Sequence, residues 1–292
     1  MPLPRRQGLA VSALLGGAVL WGLFWWPLKE LNAAGIHGSF MQAVAYGLPA
    51  LVLLPWAWRN PPRRSHAGLL LLIALLGGWA NASFATSLTY GSVVRVLLLF
   101  YLAPVWSILA ARLFLGEPFT RLRLTALGLA LAGLAFTLGG PDILAAPLSA
   151  IDLLALSSGL AFALNNVAIR AGHELPDASR AVAVFAGCAA VSLGFMGWSD
   201  QSVPALDALH LLALAALALG WVLPGTLASF YGVARLDAGK AAILLLAELV
   251  VGVFSAVLIG DEALSLQEAV GGALILTAAV IEARTESTDY AT

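Results

Sequence analysis

Ten apolar runs, each close to the length of a membrane span, divide this 292-residue chain and leave almost nothing for a water-soluble domain. They cover roughly 9–28, 39–57, 67–89, 92–113, 123–139, 153–170, 181–198, 208–233, 240–259 and 268–284. A helix crossing the hydrocarbon core needs about 20 predominantly apolar residues. Short polar or proline-bearing turns such as Asn60-Pro61-Pro62 and Leu175-Pro176-Asp177 punctuate the runs. The expected fold is all-α, a membrane protein of ten transmembrane helices. At 61% apolar and 11% charged, the chain lies far from the soluble average of about 25% charged residues. A net charge of −1 without a basic stripe excludes a nucleic-acid partner. The single Cys188 cannot make an intrachain disulfide or a cysteine metal cluster.

Two segments repeat one another. LLLFYLAPVWSILAARLFLGE at 97–117 and AILLLAELVVGVFSAVLIGDE at 242–262 align at an offset of 145, which places Leu99 on Leu244, Val105 on Val250, Glu117 on Glu262 and Arg95 on Lys240. The expected organisation is a first five-helix repeat at 1–145, a second at 146–285 and a short tail at 286–292. An odd number of spans per repeat inverts the second against the first, the plan of many secondary transporters. Loop charges orient the chain. With the N-terminus inside, thirteen of the fifteen Lys and Arg residues fall on the inner side and only Lys29 and Arg95 on the outer. Both termini are therefore expected in the cytoplasm, with Asp152, Asp207 and Glu262 among the acidic residues of the outer loops.

AVLWGLFWWPLK in the first run, YLAPVWSILAARLFLGEP closing the fourth and GDEALSLQEAVGGALILTAAV leading into the tenth resemble the drug/metabolite transporter superfamily with paired EamA-type halves. The Tyr-Leu-Ala-Pro segment of the fourth run is similar to bacterial amino-acid exporters of the YddG kind. The second half departs from the family's Glu-Pro pair, keeping Glu248 but placing Leu249 after it. The resemblance implies a bacterial inner-membrane carrier whose first, third, fourth, sixth, eighth and ninth spans line a central cavity, with the others peripheral.

Candidate substrate-binding residues follow from chemistry along those spans. Glu248 sits mid-run, where an acid costs about 2.5–3.5 kcal/mol and marks a functional site by default. It is read as a partner for a substrate ammonium, a proton carrier, or a structural group tied to Asn165 or Asn166. Those two amides point about 100° apart on a helix, so only one faces a cavity. Asn81 lies among polar residues of the third run. Trp21, Trp25, Tyr90, Tyr101, Trp106 and Tyr231 offer rings that attract an ammonium or else form an interfacial belt. Pro27, Pro104, Pro224 and the adjoining Gly225 are candidate hinges, because proline removes a helix hydrogen bond. No HExxH, GxSxG or P-loop pattern occurs, so no catalytic residue, metal or cofactor is expected, nor an obligate protein partner. The expected activity is export of small neutral or zwitterionic metabolites, foremost amino acids, by alternating access. A passive channel for small solutes and an exporter of drugs or other metabolites are the alternatives.

Overall fold

The computed structural model describes residues 3–103, 105, 106, 109, 113, 121–137, 148–172, 174–198, 202–233, 235, 236 and 238–289. Among them every regular element is helical: α1 (Leu3–Gly22), α2 (Trp25–Ala33), α3 (Gly38–Arg59), α4 (Ala67–Tyr90), α5 (Val93–Phe100), α6 (Arg121–Thr137), α7 (Ala150–Ala171), α8 (Asp177–Trp198), α9 (Ala208–Ala215), α10 (Leu223–Val233), α11 (Ala238–Leu258) and α12 (Leu266–Asp289). A single 3-10 turn (Arg64–His66) precedes α4, and a π-helical segment (Ala216–Val222) joins α9 to α10. Six stretches are long and apolar enough to cross a membrane: Gly8–Ala33, Gly38–Arg59, Ala67–Tyr90, Ala150–Ile169, Asp177–Trp198 and Ala208–Val233. Three shorter apolar helices, Leu124–Thr137, Leu244–Leu258 and Leu266–Ile281, accompany them. Large apolar side chains such as Leu113, Leu258 and Leu266 stand exposed, as a hydrocarbon surrounding requires.

Three spans are irregular, each beside a proline. Pro27 has no N–H to give the Leu23 carbonyl, and α1 and α2 are separated at Leu23–Phe24, where the Phe24 N–H bonds the Trp21 carbonyl at 3.1 Å. After α5 the chain turns at Tyr101–Leu102, and the Leu102 N–H reaches back only three residues, to Leu99 at 3.4 Å. The next helical residues follow at Ala103, Val105 and Trp106. Pro104, beside this turn, lies outside the described residues. Before Pro224 the helix widens into its π-helical turns, one of the known ways of accommodating a missing donor.

The chain forms two compact units, residues 1–25, 91–153 and 224–292 in the first, and 26–90 and 154–223 in the second. Each draws on both sequence repeats. In the first unit α1 packs on α11, α5 on α11, and α6 on α12. Small residues set these crossings: a Cβ on Gly133 would lie 2.7 Å from the Gly271 carbonyl oxygen, and one on Gly22 2.7 Å from that of Glu248. In the second unit α3 and α4 both pack on α8. Gly187 of α8 lies against the Ala74 backbone of α4, leaving no room for a Cβ. Such close approach lets van der Waals contact hold helices together where lipid removes the hydrophobic drive. The second unit also ends α2 with a paired turn: the Ile36 N–H bonds the Leu31 carbonyl, and the Gly35 N–H that of Asn32. The φ of +89° at Gly35 is why glycine stands there.

Candidate functional site

In the first unit the non-helical turn after α5 brings Tyr101 to α11. Its ring is buried, its hydroxyl donates to the Leu245 carbonyl at 3.3 Å, and it interacts with the Glu248 carboxyl. Glu248 thus has a phenol as its neighbour, a pairing that the spacing in the sequence does not reveal. Next to it, the close passage of Gly22 over the Glu248 backbone sets α1 against α11 just before the α1–α2 break. The site therefore holds a carboxyl and a phenol close to the places where two helices are interrupted.

Other candidates of this unit take separate partners. Trp25 is buried and its Nε1 donates to Ser255 Oγ at 2.9 Å, while that hydroxyl donates to the Gly252 carbonyl. Trp21 is half-buried with Phe24 edge-on at 5.2 Å, and a Cβ on Gly225 would lie 3.4 Å from its Nε1. Trp106 keeps a buried Nε1 without a hydrogen-bond partner. Tyr231 carries the Arg235 guanidinium 3.8 Å above its ring and packs against the cluster of Ala10, Leu14 and Leu236.

Within the second unit, Asn81 has both ends of its amide engaged, donating to the Gly77 carbonyl at 2.8 Å and accepting from the Tyr46 hydroxyl at 3.4 Å. Tyr90 is exposed, and its hydroxyl accepts from the Gly38 N–H at 3.3 Å. Asn165 is buried with Oδ1 unpartnered, and the absence of a side chain at Gly77 makes room for it. Asn166 stands half-exposed on a different face.

Three polar features escaped the sequence reading. Asp152 belongs not to a loop but to the first turn of α7, where it and Ser149 cap each other's backbone at 3.0 Å. Its two oxygens also receive Arg95 Nε at 2.7 Å and Nη2 at 3.0 Å. Glu262 follows α11 through a turn with Asp261 at φ 52°. It accepts the Val93 and Val94 N–H groups at 2.8 and 3.2 Å and the Ser92 hydroxyl at 2.8 Å, capping α5. The Ser-x-x-Asp pattern at Ser149 was a legible cap signal; the Arg95 and Glu262 pairings had none. Outside the spans, Asp207 caps α9, and the His210 backbone N–H holds its carboxyl below the ordinary carboxylate range.

No curated protein sequence matches the chain. A solved structure, titled only a crystal structure of a protein, is similar with a TM-score of 0.62 at 20% identity, over 97% of this chain and 99% of that one. At that identity it speaks for the fold alone. The sequence profile of the EamA-like transporter family matches twice, at residues 8–139 and 149–282, one match for each repeat. With most of the chain so covered, and with apolar helices suited to a bilayer, this multi-pass membrane protein belongs to the EamA-like transporter family.

Proposed function

We propose that the protein is a secondary carrier exporting small neutral or zwitterionic metabolites, foremost amino acids, by alternating access across a bacterial inner membrane, with ten spans and both termini cytoplasmic. What supports this reading is the Glu248 carboxyl of α11 lying within interaction range of the Tyr101 phenol, which the turn after α5 brings to that helix. A carboxyl in a span is costly and marks a functional site by default, and beside a phenol it suits an ammonium group. Trp21 and Trp106 offer ring faces to an apolar side chain, and the buried indole N–H of Trp106 supplies a donor for a carboxylate. Pro27, Pro104 and Pro224 with Gly225 are the hinge candidates in this scheme.

Purified protein in proteoliposomes, given a panel of radiolabelled amino acids, tests the proposal. Saturable uptake of at least one, weakened in Glu248→Gln, is the expected result. Flux that stays linear with concentration identifies a passive channel instead.

A further inference from the structure

Arg95 is one of only two basic residues that the charge bias leaves on the outer side, and the structure gives it a dedicated partner. Its guanidinium meets both oxygens of Asp152 side-on, at 2.7 and 3.0 Å. The Asp152 side chain is 7% exposed and the Arg95 side chain 34%. This fork geometry is the strong form of a charged hydrogen bond. It ties the first turn of α5, from the first sequence repeat, to the first turn of α7, from the second. Glu262 caps the same end of α5.

The repeat allows each contact to be compared with its counterpart at the opposite face. Glu262 has a sequence counterpart in Glu117, so both copies carry a glutamate at this position. Arg95 has one in Lys240. Asp152 has none: the first span corresponds to α7, and no acidic residue precedes Glu30 in the sequence, whatever register aligns the two. In an inverted repeat, two access states related by exchange of the halves would be equal in energy if the halves were identical. An Arg–Asp pair whose acid the sequence supplies in only one of the two copies tilts that balance.

We propose that the Arg95–Asp152 pair is a one-sided clasp that keeps the outer ends of the fourth and sixth spans together, so that the resting carrier opens to the cytoplasm and the clasp must part for outward release. The proposal rests on the alternating-access reading above. It makes Arg95 and Asp152 positioning residues, which set the populations of two states and do not touch the solute.

Accessibility of a reporter cysteine tests this without a known substrate. In a Cys188→Ala background, Ala103→Cys places a thiol just past the Tyr101–Leu102 turn. A membrane-impermeant maleimide is applied to spheroplasts for the outer side and to inverted vesicles for the inner. Asp152→Asn keeps an acceptor for the Ser149 N–H and removes only the charge, and Arg95→Gln removes the other partner. Each is expected to raise outer labelling about five-fold or more, the low end of ordinary coupling between states, and to lower inner labelling. The reciprocal exchange, Arg95→Asp with Asp152→Arg, is expected to return both rates toward the parent. Outer labelling unchanged in both single variants overturns the clasp, as does an equal rise from both sides, which reports loosened packing. Labelling that shifts as expected in a protein without saturable flux of any amino acid overturns the proposed substrate class and leaves the two access states and the clasp standing.

Discussion

The two compact units use polar groups in opposite ways. Deep in the second unit, among the described residues, they are neutral: the Gln42 amide lies between Thr86 and Ser192, Tyr46 meets Asn81, and the Ser158 hydroxyl donates to the Ala80 carbonyl at 2.7 Å. The first unit instead commits carboxylates. Glu248 lies within α11, while Asp152 and Glu262 hold the start of α5. Neutral hydrogen bonds between membrane helices average only about 0.6 kcal/mol and mainly fix which faces meet. A charge in the same surroundings is far costlier to leave unmatched, so it persists where a task requires it. The difference separates a unit whose described polar seam is neutral from one that places carboxylates within a helix and at a helix start, and under the proposed function the second kind is where a solute would be met.

The sharpest contrast is at the glycines. Although Gly22 and Gly133 of the first unit also face backbone, Gly252 of that unit meets chiefly the end of the Leu97 side chain, with the Gly22 carbonyl oxygen at 3.2 Å, whereas Gly187 lies directly against backbone of α4. Gly187→Ala is expected to cost more than about 4 kcal/mol, the range reserved for severe lesions, and Gly252→Ala about 1–3 kcal/mol, as ordinary overpacking does. Thermal unfolding of the detergent-solubilised variants measures both, and equal losses would break the comparison. A smaller effect is expected from the polar pair Glu248→Gln and Gln42→Leu. The first should lower transport about ten-fold or more per folded molecule with little change in thermal stability, a loss of about 1.4 kcal/mol or more at the reacting contacts. The second should lower stability by about 1 kcal/mol and leave transport per folded molecule intact. Flux assays normalised to folded protein separate them, and the reverse pattern would exchange the roles assigned to the units. Smallest is the cap at Asp207. Because its carboxyl is held below the usual range in the folded protein, its contribution is present above the unfolded value of about 3.9 and fades as the pH falls through the lower folded one. Unfolding curves of Asp207→Ala and the parent should differ at pH 7 and draw together as the pH falls below the lowered folded value.

Much of the helical layout was legible. The run at 39–57 became Gly38–Arg59 and the run at 208–233 ended with α10 at Val233, because burial in lipid leaves a long apolar segment little choice but helix. Interruptions beside Pro27 and Pro224 were legible for the same reason, since a missing N–H is a local property. Separation of Asn165 from Asn166 followed from helical geometry. The partners of Glu248, Arg95 and Trp25 were not legible. Tyr101 reaches Leu245 across 144 positions and Trp25 reaches Ser255 across 230, and no pattern along one helix records what a distant helix brings to it. Asp152 was assigned to an outer loop because the apolar run begins just after it, although its capping pair with Ser149 draws the helix back to Ala150.

The interleaving of the units has a consequence for how the chain is made. The first unit begins at residue 1 and closes only with residues 224–292, and the second waits for residues 154–223. A ribosome that has finished the first repeat has completed neither. Early spans must therefore enter the bilayer one by one and remain there with faces such as that of Gly78, which packs on Gly187, still uncovered until helices made much later arrive. Such a nascent chain offers a long interval in which membrane quality control can seize it. A substitution in α8 or α12 would then reduce the amount of protein by stranding helices already inserted, well before it had any chance to alter a rate of transport.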